Sequence, residues 1–284
     1  MAAELGYQFG VSEFTTWPWS FERDVETYAR LGVQAIEVCE FKLDPVRYAD
    51  QMALPAAHGL QITSFQPDVR TLFPNKPKPT PADPRQRMDR FQDCIARLAP
   101  FAPSAPFVTS TGMAPDGNVQ RVLDTAAVVY RDVADFAAGH GARVALEPLS
   151  ATIMNVETAI WTVRQALDVI RAVDRPNFGL CLDCWNVWQN ADLDAAIREA
   201  GDLITVVQIS DWRTPQSFAD RLIPGQGAIP LPAFLKSVRE AGFTGAYSVE
   251  IFSGDIPDSL WAGDLEQTLR DSRVGLDAAW EASF

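Results

Sequence analysis

The chain has 284 residues and a formal charge of −13, from 24 Lys and Arg against 37 Asp and Glu. Hydrophobic residues make up 47% and charged residues 21%, which supports a packed core and argues against global disorder. So acidic a chain disfavours binding to a phosphate backbone, two histidines exclude schemes that need several imidazoles, and four cysteines do not make a disulfide scaffold.

The N-terminal stretch MAAELGYQFGVSEF has neither the basic segment nor the apolar core of a secretion leader. No apolar run approaches the ~20 residues of a membrane span, so a soluble, cytoplasmic protein is expected. Short β-rich runs are predicted at Tyr7–Ser12, Ala35–Cys39, Gln61–Phe65, Pro106–Ser110, Arg143–Glu147, Phe178–Asp183, Thr205–Ile209 and Tyr247–Ile251. Between them, residues 21–32, 44–59, 124–141 and 156–173 carry helical periodicity. Gly32, Gly59, Gly141 and Gly242 read as left-handed helix stops, and Asp44-Pro45 as an N-cap with proline at the first helical position. His58 and His140 precede two of those glycines, where they complement the helix dipole. The connection from Pro67 to Pro84 is long and stiffened by Pro74, Pro77, Pro79 and Pro81. It is expected to form a structured lid at 67–84, with Arg70 or Phe73 facing a ligand.

Eight strand–helix units fit a single closed (β/α)8 TIM barrel over residues 1–284, a fold that typically takes about 250 residues. A doubly wound open sheet is the alternative, but the turn after the first strand, EFTTWPWS, lacks the glycines of a phosphate loop. Gly225-Gln226-Gly227 lacks a strand before and a helix after it, and reads as a tight turn.

Barrel active sites gather at the C-terminal ends of the strands. The fifth strand ends VALE at Glu147, the sixth LCLD at Asp183, the seventh TVVQ at Gln208 and the eighth YSVE at Glu250. Three carboxylates converging on one mouth repel one another unless a cation sits between them. With the carbonyl oxygen of Gln208 they suit one hard or borderline divalent ion, Mn2+ or Mg2+ first and Co2+ or Zn2+ next. Phe14, Trp17, Trp19, Trp185 and Trp212 follow predicted strands and can wall a sugar ring. Arg70, Arg213 and Arg221 can bind a hydroxyl, carboxylate or phosphate. Glu37, Glu40 and Lys42 are weaker candidates near the second strand. In Cys181-x-x-Cys184, strand alternation turns Cys181 inward with Asp183 and Cys184 outward, which argues against a redox or zinc pair.

These motifs resemble the sugar phosphate isomerase/epimerase family, the barrels related to xylose isomerase and endonuclease IV. FGVSEF, ARLGVQAIEV, ALEPL, LCLDCWN, VVQISDW, PGQG and GAYSVEIF carry the likeness over nearly the whole chain. The resemblance implies a metal at Glu147, Asp183 and Glu250, with Gln208 where the family usually has histidine. A second family histidine is replaced by Asn186. The FQP of residues 65–67, Gln208, PGQG and EIF resemble the bacterial 3-dehydroshikimate dehydratases, whose strand-six histidine is also missing here. A third branch, the metal-dependent lyases of C-glycosides of 3-oxo sugars, carries a histidine where Leu149 and Ser150 stand. Likeness to the ketose epimerases implies that Glu147 and Glu250 are both ligands and proton-transfer residues on opposite faces of the sugar. Trp17, Gln66, Arg70, Trp185, Asn186, Arg213 and Arg221 are the candidate substrate contacts.

The expected function is a divalent-metal-dependent isomerase or epimerase of a keto sugar or keto polyol, working through an enediolate. A lyase or dehydratase on the same barrel is the alternative, and a non-catalytic sugar-binding homologue a third. A small-molecule partner is expected, with no nucleic acid or membrane partner; a homo-oligomer is compatible. DNA repair is disfavoured, because the endonuclease branch uses several histidines.

Overall fold

The computed structural model describes residues 6–214 and 219–284; residues 1–5 of the N-terminal stretch lie outside them. Eight parallel strands close into a barrel in chain order: β1 (Gln8–Ser12), β2 (Ala35–Cys39), β3 (Gln61–Gln66), β4 (Pro106–Thr109), β5 (Arg143–Leu146), β6 (Phe178–Asp183), β7 (Ile204–Ile209) and β8 (Ala246–Val249). β8 returns to pair with β1, with Val249 opposite Val11. The expected barrel is therefore present, with strand ends close to those read from the sequence.

The outer layer comprises α1 (Phe21–Arg30), α2 (Tyr48–Met52), α3 (Leu54–Ala57), α4 (Pro84–Leu98), α5 (Val119–Gly139), α6 (Val163–Val173), α7 (Cys184–Val187), α8 (Leu193–Ala200), α9 (Leu231–Glu240) and α10 (Leu265–Glu281). Local chemistry sets several starts. Asp83 accepts from Arg85 N and Gln86 N, with Pro84 at the first position of α4. Thr162 and Gln165 form a reciprocal capping box on α6. His58 and His140 cap the C-terminal ends of α3 and α5.

Two helical expectations need correction. The 44–59 stretch starts with Asp44 Oδ1 accepting from Val46 N and Arg47 N, but this caps only a turn and α2 begins at Tyr48. It then breaks before α3, where Pro55 has no N–H to offer the preceding turn. In the 156–173 stretch only α6 is helical. Thr158 Oγ1 accepts from Ile160 N and donates to Ile160 O, while Thr111 Oγ1 takes Ala159 N. These side-chain bonds outcompete the helix and hold residues 156–162 as a loop.

Strand alternation positions the site. Val108, Ala145, Cys181 and Val206 form a small apolar cluster of their own, apart from the large core shared by strands and helices. Two residues further along β5, β6 and β7, on the same face, come Glu147, Asp183 and Gln208.

The 67–83 connection is ordered by backbone bonds to the loop after β4: Leu72 N to Ser110 O at 3.0 Å and Phe73 N to Thr111 O at 2.8 Å. Gly112, at φ +72°, lies so close that a Cβ there would stand 2.0 Å from Phe73 O. Arg87 on α4 is fully buried and donates to Thr71 O at 2.7 Å and to Lys78 O and Pro81 O at 3.0 Å each. Phe73 packs into the core, so of the two expected ligand-facing residues only Arg70 reaches the pocket.

Arg87→Ala leaves those carbonyls without their donor and should cost about 3 kcal/mol or more in urea unfolding, with Arg87→Lys recovering part of it. A loss below about 1 kcal/mol would contradict the anchoring role of Arg87.

Candidate active site

Glu147, Asp183 and Glu250 follow or close β5, β6 and β8, and all three are buried. One carboxylate oxygen from each lies within 4.8 Å of the others, a spacing that one cation can bridge. A small pocket opens over them, lined by Arg70, Leu149, Glu157, Trp185, Asn186 and Arg221 together with Glu147 and Glu250.

The three carboxylates are held by three side chains, one of which also ties in Glu37. Arg221 Nη2 pairs with Asp183 Oδ2 and its Nη1 with Glu250 Oε2, each at 2.9 Å. Its guanidinium lies between the Trp185 and Phe252 rings, 4.7 Å from each centroid. Asn186 Nδ2 bridges Glu147 Oε1 at 2.9 Å and Asp183 Oδ2 at 2.7 Å. Its orientation is fixed because Oδ1 accepts from Ser150 N. Gln208 Nε2 donates to Glu250 Oε1 and Glu37 Oε1, both at 2.9 Å, and Ser64 Oγ donates to Glu37 Oε2 at 2.6 Å.

Burial dominates the proton affinities. It pushes Glu147 up to about 8, helped by the Asp183 charge and opposed by Arg70 and Arg221. Burial also raises Asp183 and carries Glu250 well above the carboxylate range, with Arg221 opposing in both. Arg221 itself is disfavoured by burial, but Asp183, Glu250 and Glu147 outweigh that and raise it.

The structure brings together Glu147, Asp183, Glu250, Gln208, Asn186, Arg221, Trp185 and Arg70. It differs from expectation at Gln208, whose oxygen accepts from Cys181 Sγ at 3.2 Å while its nitrogen faces the carboxylates. The reason is electrostatic: Glu37 and Glu250 both lie at that point, and an amide is a neutral donor that can serve both. Arg213 stands apart, with Nη1 on Asp258 and Nε on the Asp220 carbonyl. Trp17 is 44% exposed and stacks on Phe41 and Trp261 outside the pocket lining. Gln66 is buried at the end of β3, also outside that lining. Lys42 is occupied by Asp24 and Thr16 O, and Glu40 by Arg97 and Asp68 N. The thiols of Cys181 and Cys184 have different partners, Gln208 and Ser210 O. The PGQG turn wraps Asp211, whose carboxylate takes the N–H groups of Trp212, Gly225, Gly227 and Ile229.

Phe252, Glu157 and Ile153 are pocket residues that sequence reading missed. Phe252 follows the eighth strand in EIF, and strand alternation from Glu250 could have found it. Glu157 sat inside an apparent helix and had no such signal.

The donor set fits a divalent ion. Glu37, Glu147, Asp183 and Glu250 bring four buried carboxyl groups to the barrel interior, and Arg70 and Arg221 bring two guanidinium groups. With every carboxyl ionised, that of Glu157 on the pocket wall included, the balance is −3, an excess that a divalent cation relieves. Three oxygen donors with no nitrogen among them favour a hard ion.

A family model described as xylose isomerase-like TIM barrel matches residues 25–272. An inosose isomerase from Bacillus velezensis is 32% identical over 170 residues, 58% of either chain. The inosose isomerase of Halalkalibacterium halodurans is 28% identical over 264 residues, 89% of either chain. The two Bacillus matches at the head of this group span only 58% and 64% of those relatives' lengths. Shorter matches are a ketose 3-epimerase from Arthrobacter globiformis, 28% over 146 residues and 47% of either chain, and a 3-dehydroshikimate dehydratase from Pseudomonas aeruginosa. The dehydratase is 33% identical over 135 residues, 43% of this chain and 20% of that protein. Among solved structures, the zinc-binding IOLI protein superposes with a TM-score of 0.82 at 20% identity, over 98% of this chain and 99% of that one, and shows the shared fold.

The raised proton affinity of Glu147 has a consequence for stability. In the cation-free folded protein it keeps its proton up to about pH 8, whereas the unfolded chain loses it near 4.5. The folded state binds more protons across that window, so cation-free stability should fall as pH rises from 4.5 to 8. A divalent cation binds the ionised form, so millimolar Mn2+ should raise the melting temperature more at pH 8 than at pH 5. Glu147→Gln should flatten the cation-free slope. Stability that rises across this window, or an equal Mn2+ effect at both pH values, would contradict the assignment.

Proposed function

The chain belongs to the xylose isomerase-like TIM barrel family, and from that membership we propose that it is a divalent-metal-dependent isomerase or epimerase of a keto sugar or keto polyol. The observation that carries this reading is the trio of buried carboxylates whose oxygens lie within 4.8 Å of one another at the floor of the pocket. The relatives named inosose isomerase and ketose 3-epimerase support it. Glu147, Asp183 and Glu250 would hold the ion, Mn2+ or Mg2+ by donor hardness. A bound divalent ion would polarise a keto oxygen and favour the negative charge that develops beside it.

The residues do the rest. Glu147 Oε2 accepts no hydrogen bond among the described residues, while Asn186 fixes Oε1. It is the freer of the two bases and takes the proton next to the carbonyl. Glu250, held from β8 by Gln208 and Arg221, is the second proton carrier. Desolvation raises both carboxyl groups and so makes each a stronger base than a solvated glutamate. Asn186 and Gln208 position these groups. The 67–83 segment, anchored by Arg87, carries Arg70 on the pocket wall and would serve as the lid over the mouth. Loss of a β-oxygen from the same enediolate is the second outcome, supported by the dehydratase relatives.

The reading is tested by NMR in D2O with an inosose and with simple ketoses, Mn2+ present. Wild type should place deuterium at the carbon next to the carbonyl without losing water, and chelation should stop it. Glu147→Gln and Glu250→Gln should each slow exchange by at least about a hundredfold with the fold intact. Near-normal exchange in either variant would rule out the two-carboxylate scheme. Loss of water would make the enzyme a lyase, and no exchange with any ketose would make it a binding protein.

A further inference from the structure

One wall of the pocket carries two groups that proton transfer at the carboxylate trio leaves unused. Glu157, on the loop after β5, is 3% exposed and lines the pocket beside Glu147, Arg70 and Asn186. Its Oε2 accepts from Asn75 Nδ2 at 2.6 Å. Asn75 Oδ1 in turn accepts from Lys78 N, which fixes the nitrogen as the end facing Glu157. The other oxygen, Oε1, is buried and meets no donor among the described residues. Arg70 Nε is also buried and meets no acceptor among the described residues. A buried acceptor and a buried donor, both without a partner on residues of one pocket lining, are costly to leave unmatched, and a ligand group that reaches this wall is the natural complement to both.

Their charges are coupled. Burial raises Glu157 to about 6, while Arg70, Asn75 and Lys76 pull it down. At neutral pH it is therefore ionised, and its charge offsets that of Arg70. A substrate carboxylate offered to Arg70 would meet the Glu157 charge. A hydroxyl would donate to Glu157 Oε1, accept from Arg70 Nε, and satisfy both. The two residues come from separate loops, which Lys76 N joins to Val156 O at 3.0 Å beside the Asn75 contact.

We propose that Glu157 and Arg70 form a hydroxyl-reading pair that makes neutral polyhydroxy ketones, rather than keto acids, the substrates of this chain. This deepens and rests on the isomerase reading. Glu157 selects and seats the substrate; proton transfer at carbon stays with Glu147 and Glu250.

The test compares an inosose with 3-dehydroshikimate, a keto acid on a ring of similar size. Deuterium exchange gives KM and kcat for the first, and calorimetric titration gives the affinity for the second. Glu157→Gln keeps an oxygen for Asn75 but cannot carry charge. It should raise the inosose KM by about ten- to hundredfold with kcat within about threefold, the signature of a lost binding contact. It should also tighten 3-dehydroshikimate about tenfold, because the Arg70 charge is no longer offset. In wild type the inosose KM should rise as pH falls through about 6, and in Glu157→Gln it should be flat. Asn75→Ala, which leaves Glu157 chemically intact but unanchored, should raise the inosose KM in the same direction. An unchanged KM in the folded Glu157→Gln protein, a loss confined to kcat, or tighter binding of the keto acid than of the inosose by wild type would overturn the proposal. If wild type exchanges no deuterium with any ketone, the isomerase reading itself fails and this inference falls with it. If exchange is intact and Glu157→Gln changes nothing, only the hydroxyl-reading pair fails.

Discussion

Like charges buried side by side raise the free energy of their ionised forms, and a protein can hold them only by supplying donors, cations or protons. The mouth of this barrel concentrates Glu147, Asp183 and Glu250 there, with Glu37 joined to Glu250 through Gln208. Arg221 meets two of the carboxylates, Asn186 bridges two, and Gln208 spans Glu37 and Glu250. The surrounding structure is arranged around that requirement. Trp185 and Phe252 sandwich the guanidinium and keep it in place. Even so, one guanidinium does not balance three carboxylates, and the raised proton affinity of all three records the imbalance. A cation and a proton are the two ways to relieve it, and a metal-assisted proton-transfer site needs both.

The barrel was legible because its signals are local and repeated. A period of two along each strand fixes which residue ends each strand on the inner face, so Glu147, Asp183, Gln208 and Glu250 could be named before any fold was known. Ala35–Cys39 and Phe178–Asp183 coincide with their predicted bounds. Asn186 was legible through the family resemblance, which puts a histidine at its position, and Arg221 through its place in the loop after strand seven. Arg213, in the same loop as Arg221, looked equivalent in sequence but ends on Asp258, because a strand end does not say which way a loop side chain will turn.

What stayed hidden depends on loop folding and on amide orientation. Residues 156–162 carry helical periodicity, yet side-chain bonds from Thr158 and Thr111 hold them as a loop, and that is what brings Glu157 to the pocket. Periodicity cannot register such competition. Gln208 was read as an oxygen donor, but which end of an amide faces a carboxylate is decided by partners on other strands. Glu37 on β2, three strands around the barrel from β7, decides it here. The aromatic wall was half legible: Trp185 faces the site, while Trp17 joins a stack with Phe41 and Trp261 on the rim.

The central claim is that the three carboxylates form the seat of a divalent cation. Anomalous diffraction from crystals grown with Mn2+ addresses it without any assumption about substrate. The account predicts a single peak within bonding distance of one oxygen each from Glu147, Asp183 and Glu250. A peak elsewhere, or no peak with Arg221 still bridging Asp183 and Glu250, would contradict it and leave Arg221 as the cation that the site was built to hold.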